Sequence, residues 1–270
     1  MSRVYLFTGD NGTGKTSCAL GDNPEDVVDF YEFDAGSFER AAASMNNIER
    51  ITVNKYYSPL TNLLDPGKIS VSERGGIAPA TVHRLSGWKD SFWSFVSTYL
   101  AGLKGVGRPV IDTETKLWLM IRQAFLEEVQ DAAGDERARL DKLQYTEPNA
   151  RHSQIIEAAK QFGKDLVMLA HEKEQYVGDK GTGVMIPDGF KEVPNMADAV
   201  LRFRLVDRKP VATITKAGAG GLDLLGVEIH EPTLPVINDV LDAAAKLRKA
   251  GKAVPRDANQ IIVQAAMLEH

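Results

Sequence analysis

The chain predicts an α/β protein, a mostly parallel sheet flanked by helices, with an added β-hairpin and helices toward its carboxyl end. Three observations point to it. Short apolar runs bounded by turn residues alternate with stretches whose apolar residues fall at helical spacing, the order of a parallel sheet covered on both faces. The first run is followed at once by a glycine-rich turn and a helix-compatible stretch. In the last third, two alternating runs are joined by Asp207, Arg208, Lys209 and Pro210, the pattern of a hairpin.

Residues 4–7 read as the first strand, ended by Thr8 and Gly9, and residues 15–20 as the first helix. Further strands are expected at 27–33, 48–53, 109–111 and 165–170. Between the last two, Leu117, Met120, Ile121 and Ala124 place a helix over 116–129, and Ile155, Ile156 and Ala159 place another over 153–162. The hairpin at 199–206 and 211–216 is expected to extend the sheet edge. An amphipathic helix with a basic end covers 238–249, and 257–267 suits a last helix. Residues 59–81, rich in Gly, Pro and Ser without a period, read as an irregular excursion. The expected division is a core over 1–230 and a helical extension over 231–270. Leu268, Glu269 and His270 suit a vector remnant and are given no function.

Of the 270 residues, 43% are hydrophobic and 26% charged, which excludes a disordered or fibrous chain. Lys plus Arg number 32 against 37 Asp plus Glu, a net charge of -5, so no overall positive field draws the molecule to nucleic acid or anionic lipid. Any site for a polyanion must be local. Cys18 is the single cysteine and cannot form an intramolecular disulfide. Met1 leads into a strand-like run and no stretch approaches the roughly 18 apolar residues of a membrane helix. A cytoplasmic protein without a membrane span is expected.

Gly9, Asp10, Asn11, Gly12, Thr13, Gly14, Lys15 and Thr16 match G-x-x-x-x-G-K-[ST] at every fixed position. A chance match in a chain of this length has odds on the order of 1%, given a glycine frequency of about 7%. Glycines let successive backbone N–H groups turn inward around an anion, and the following helix adds the positive end of its dipole. Lys15 is then expected to reach the β and γ phosphates of ATP, and the Thr16 hydroxyl to ligate Mg²⁺. Ser17 closes the nucleotide-binding segment, where with Cys18 it packs against or caps the helix.

A nucleotide triphosphatase also needs a carboxylate at the end of a neighbouring strand to hold the magnesium. Val110, Ile111 and Asp112 supply it, and Asp112 is the second expected metal residue. Three carboxylates compete for the hydrolytic base: Glu32 and Asp34 at the end of the second strand, and Glu114 just beyond Asp112. Glu32 and Asp34, two apart, are expected to leave the same face of a strand. Each of the three also suits a structural role as a helix cap or a first-turn acid. Tyr56 and Tyr57 suit base stacking or, preferably, the core.

With these residues in hand, the chain resembles the RecA-like branch of P-loop ATPases, in particular compact phage-type ATP-binding proteins related to single-strand annealing recombinases. The resemblance runs over residues 4–221. It rests on the glycine loop, on Tyr31-Glu32-Phe33-Asp34-Ala35-Gly36, on Val110-Ile111-Asp112-Thr113 and on Met168-Leu169-Ala170-His171. Ala197-Asp198-Ala199-Val200 and Thr215-Lys216 complete it. It implies a RecA-like core, ATP hydrolysis, a γ-phosphate sensor at His171 and a basic residue at Lys216 that reaches the nucleotide of a neighbouring subunit. A homo-oligomer with nucleotides at its subunit interfaces follows, in a phage-infected bacterial host cell. Two departures stand out: Ala35-Gly36 replaces the Glu that often follows the second-strand Asp, and Ala217-Gly218 replaces a second basic residue.

The resemblance also implies two mobile loops for single-stranded DNA, here 131–151 and 172–195. The first carries Arg137, Arg139, Lys142, Tyr145 and Arg151, the second Lys173, Tyr176, Lys180 and Lys191. Basic residues around aromatics suit backbone contact with base stacking, although interspersed Asp and Glu suit a solvated loop as well. The leading expectation is a Mg²⁺-dependent ATPase that binds single-stranded DNA and assists recombination or strand annealing. Two others stand beside it: a non-catalytic ATP-dependent switch or assembly protein, and a small-molecule or nucleotide kinase with Arg137, Arg139 and Arg151 in a lid.

Overall fold

The computed structural model describes residues 2–21, 23, 25–43, 45, 48–59, 85–135, 138–218 and 221–268. Residues 60–81 of the expected excursion, Arg137, Glu269 and His270 lie outside the described residues.

Strand β1 (Val4–Gly9) is buried along its whole length, as an apolar run in a sheet covered on both faces must be. It lies between β5 (Leu166–Leu169) and β8 (Ala199–Val206), parallel to both. Beyond β5 come β4 (Arg108–Asp112), β2 (Val28–Glu32) and β3 (Ile51–Lys55), all parallel. Beyond β8 come β9 (Lys209–Ala217) and β10 (Glu228–His230), both antiparallel to their neighbours. The eight-stranded order is β10-β9-β8-β1-β5-β4-β2-β3. The α/β class and the carboxyl-terminal hairpin are therefore present, and the first hairpin strand joins the parallel sheet beside β1.

Alternation along β1 sends Tyr5 and Phe7 to one face and Val4 and Leu6 to the other. The first face is covered by α1 (Lys15–Leu20), α7 (Leu234–Lys249) and α8 (Ala258–Ala266), through residues such as Leu20, Ile237, Leu247 and Ile261. The second is covered by α3 (Trp88–Leu103), α4 (Glu114–Ala133) and α5 (Thr146–Gln161), through Phe95, Tyr99, Ile121 and Ile156. Each fully buried Leu, Ile or Phe side chain contributes about 1.5–3 kcal/mol. The amino ends of α4, α7 and α8 are closed by Thr113, Thr233 and Asp257, whose side chains accept backbone N–H bonds. Among the described residues no helix is long and apolar enough to cross a membrane.

Several elements differ from expectation. Helix α3 is additional, although Trp88, Phe92, Phe95, Tyr99 and Leu103 fall at helical spacing; its aromatic and β-branched content weakens the helical signal. Strand β3 is displaced toward Lys55 because residues Ile48–Arg50 form a 3-10 turn. The hairpin closes in two residues rather than four, with Asp207 and Arg208 both left-handed at φ 51° and 66°. Most of the second expected loop is an exposed ribbon of β6 (His171–Val177) and β7 (Lys180–Asp188), paired antiparallel. The short α6 (Val193–Met196) then leads into β8. The first expected loop shrinks because α5 starts at Thr146 and absorbs Arg151.

Register places Phe7 level with Leu169, Leu169 level with Asp112, and Asp112 level with Glu32. The carboxyl ends of four strands thus converge beside the glycine loop, where ligands of open α/β sheets bind. Strand β5 stands between β1 and β4, so Asp112 comes from the strand after next and not from the immediate neighbour.

Candidate nucleotide site

The loop after β1 can turn only because of its glycines. Gly9 has φ 128° and a Cβ there would collide with the Phe203 carbonyl; Gly14, at φ 89°, opens α1. The loop lines a cavity of about 640 Å³ with Asp34, Ser37, Arg40, Ala41, Asp112, Thr113 and His171. Its wall includes Asn11, Gly12, Thr13, Gly14, Lys15, Thr16 and Ser17. Gly9 and Asp10 stand just before it, and their carbonyls accept the Lys15 Nζ bonds at 2.7 Å each. Burial pulls the Lys15 ammonium below its ordinary range, against the attraction of Asp112, Glu172 and Asp10.

Thr16 Oγ1 donates to Asp112 Oδ2 at 2.9 Å. Burial pushes the Asp112 carboxyl up to about 6, with the Thr16 and Ser37 hydroxyls opposing. A buried carboxylate and an adjacent hydroxyl form an oxygen-only donor pair of the kind Mg²⁺ takes when phosphate and water complete its shell. Among the described residues no group of three or more His, Cys, Asp or Glu is placed to hold a metal ion.

The three candidate bases part company. Asp34 lines the cavity. Strand β2 stops at Glu32, and the Phe33 and Asp34 amides both donate to the Asp112 carbonyl, at 2.6 and 3.2 Å. Because the chain turns there, the strand alternation that would put Glu32 and Asp34 on one face no longer applies. Glu32 is fully buried and accepts from Ser37 Oγ, the Phe38 amide and the Tyr57 hydroxyl at 3.2, 3.0 and 2.7 Å. Glu114, also buried, accepts from the Phe190 amide at 2.8 Å and lies 3.1 Å from His152 Nε2. Neither Glu32 nor Glu114 lines the cavity. Tyr56, partly buried, packs on the core against Phe33 and Phe95 as preferred, whereas Tyr57 is exposed and only its hydroxyl turns inward to Glu32, so the core placement does not hold for it.

His171 lines the cavity, and burial lowers its pKa, so the imidazole is neutral at pH 7 and free to accept or donate one bond. Its backbone N–H donates to Thr115 Oγ1 at 3.1 Å, and that hydroxyl donates to the Asp188 carbonyl. One side chain of α4 therefore ties both ends of the β6–β7 ribbon.

Lys216 is elsewhere. It pairs with Val200, itself level with Leu6, toward the amino end of β1 and away from the loop. Its Nζ donates to the carbonyls of Pro194, Asn195 and Ala197 at 2.7–2.8 Å, capping α6. Of the residues expected to meet DNA, Arg151 is mostly buried, forked onto Glu128 at 3.0 and 2.7 Å and stacked over Phe92, Trp93 and Phe125. Arg139 and Lys142 are exposed before α5, and Lys173 and Lys180 are exposed on the ribbon, where Lys173 pairs with Asp188 at 2.7 Å. Sequence reasoning missed Arg40, which stands on α2 (Ser37–Ala42). Its position one turn after Asp34-Ala35-Gly36 carries a signal only when the loop's partner helix is known.

A family model described as an AAA domain matches residues 1–224. Among solved structures, the RadB recombinase superposes with a TM-score of 0.46 at 14% identity, covering 84% of this chain and 86% of that one. A KaiC-like protein, PH0186 from the hyperthermophilic archaeon Pyrococcus horikoshii OT3, gives 0.42 at 17% identity, covering 80% and 79%. Comparison with curated proteins gave no match.

Proposed function

From the premise that the chain belongs to the AAA-domain family, matched over residues 1–224, we propose that it is a Mg²⁺-dependent ATPase that binds single-stranded DNA and assists recombination or strand annealing. The observation that carries the nucleotide part is the 2.9 Å bond between Thr16 and Asp112 inside the cavity of the glycine loop. Thr16 and Asp112 would hold Mg²⁺, which when bound supplies charge neutralisation for the phosphates. Lys15 exchanges its carbonyl partners for phosphate oxygens, and the backbone N–H groups of the loop orient the chain of phosphates. Asp34, alone of the three candidate bases in lining the cavity, accepts a hydrogen bond from the attacking water. His171 senses the terminal phosphate from the start of the ribbon.

The DNA part is supported by the ribbon, whose tip exposes Tyr176, Val177 and Lys180. An exposed aromatic beside a cation suits base stacking with backbone contact. Oligomerisation with Lys216 acting on a neighbour's nucleotide belongs to the same reading, and requires that Lys216 leave the three carbonyls that hold it. A non-catalytic ATP-dependent switch is the second reading, favoured by the commitment of Glu32 to three internal donors.

Phosphate release from ATP, with and without single-stranded DNA and with Lys15→Ala as the blank, tests the reading. Stimulation by DNA that disappears in Lys15→Ala supports it. Turnover indifferent to DNA removes the recombination role, and ATP binding without turnover selects the switch.

A further inference from the structure

The cavity holds two carboxylates, Asp34 and Asp112, and its lining among the described residues includes two fixed cations, Lys15 and Arg40. A third anionic partner, the terminal phosphate of a nucleotide, must come to rest beside the Thr16–Asp112 pair and Lys15. Asp34 stands at that same end: its amide shares the Asp112 carbonyl, and its charge acts on both Asp112 and His171. An uncompensated Asp34 would repel the incoming phosphate.

Arg40 is the group placed to answer this. It projects from α2, its Nη2 3.9 Å from Asp34 Oδ2 and its Nη1 3.3 Å from the Ala35 carbonyl. Both contacts are long, and its side chain is 66% exposed, so most of the five donors of the guanidinium remain available. By contrast Lys15 is buried and already held by two carbonyls. A planar fork on a flexible stem, loosely tethered over a phosphate loop, is suited to bidentate phosphate recognition.

We propose that Arg40 is a second phosphate-binding cation supplied within the same chain, which neutralises Asp34 in the free protein and forks onto the terminal phosphate of a bound nucleoside triphosphate. The inference rests on the nucleotide reading above and adds a specificity to it: Arg40 distinguishes a triphosphate from a diphosphate.

Equilibrium binding of ATP and of ADP, each with Mg²⁺, to the full chain, to Arg40→Ala and to Arg40→Lys tests it, with thermal unfolding checking that each variant is folded. Arg40→Ala is expected to weaken ATP roughly ten-fold or more, the loss that follows from a charge-assisted hydrogen bond, and ADP by less than about three-fold. Arg40→Lys, which keeps the charge and loses the fork, is expected to fall between. Equal losses for ATP and ADP, or no loss for either, overturn the inference while leaving the nucleotide site in place. A native chain that binds neither nucleotide overturns the nucleotide reading and this inference with it.

Discussion

Thr16 Oγ1 and Asp112 Oδ2 meet at 2.9 Å although their residues lie 96 positions apart. The first is in the opening turn of α1 and the second at the end of β4, with β5 between the two strands. Thr16→Val should therefore weaken the Mg²⁺-dependent part of ATP binding by about 10–100-fold, the usual cost of disturbing a metal's ligand environment, with little change in Mg²⁺-free binding. Titration with ATP in the presence and absence of Mg²⁺ reads the difference.

Asp112 is an acid held in the interior, and with its pKa at about 6 it ionises in the folded chain only against burial. Relative to the ordinary value of 3.8, the free chain loses stability as pH rises through that interval, because the unfolded carboxyl ionises first. Asp112→Asn should raise the stability of the nucleotide-free protein at pH 7.5 by about 1–3 kcal/mol, at about 1.4 kcal/mol per pKa unit, and abolish Mg²⁺-ATP binding. Urea unfolding and nucleotide titration of one variant report opposite signs.

The pair Glu32 and Asp34 separates stability from turnover. Glu32→Gln leaves at least one of the three donors that meet this buried carboxylate facing an amide N–H and should cost about 1–3 kcal/mol, seen as a lower urea midpoint. Asp34→Asn, at a half-exposed site, should leave that midpoint within about 0.5 kcal/mol and remove phosphate release.

Thr115 joins the start and end of the ribbon through His171 and Asp188. Thr115→Val removes both bonds with little change of shape. Amide exchange at His171 should rise several-fold, and any stimulation of turnover by single-stranded DNA should fall, if the ribbon reports to the cavity through this hydroxyl.

Arg248 on α7 forks onto Asp223 through Nε and Nη2 at 2.8–3.2 Å, and this hydrogen bonding draws the Asp223 carboxyl below its ordinary value of 3.8. A depressed carboxyl contributes its stability above that ordinary value and loses it as pH falls through the folded one. Asp223→Asn should lower stability by about 0.5–1 kcal/mol at pH 7, the range of a partly exposed ion pair, and by progressively less as pH falls below 3.8. Thermal unfolding across that interval checks it.

Local physics made much of this protein readable in advance. The glycine loop announced itself because Gly9 and Gly14 occupy backbone angles that other residues resist, and the lysine and threonine follow at fixed offsets. Strands β1, β4 and β5 were readable because strands buried on both faces are continuous apolar runs, and the hairpin because its strands alternate. Helix α3 and the ribbon were not, since aromatic content hid the first and the polar, glycine-containing sequence of the second mimics a loop.

Residue types and spacings alone determined that a phosphate loop follows a buried strand and that carboxylates end two others. Which carboxylate faces the loop was decided by the tertiary structure. The end of β2 at Glu32 turns Asp34 toward the cavity, while Ser37, Phe38 and Tyr57 converge on Glu32 from outside the strand. The same holds for Arg40, brought over the cavity by α2, and for Arg151 and Lys216, whose charges are absorbed by Glu128 and by the end of α6. A side chain's charge is a property of the sequence, whereas its partner depends on which distant segments pack against it, and burial then decides how strongly the two interact.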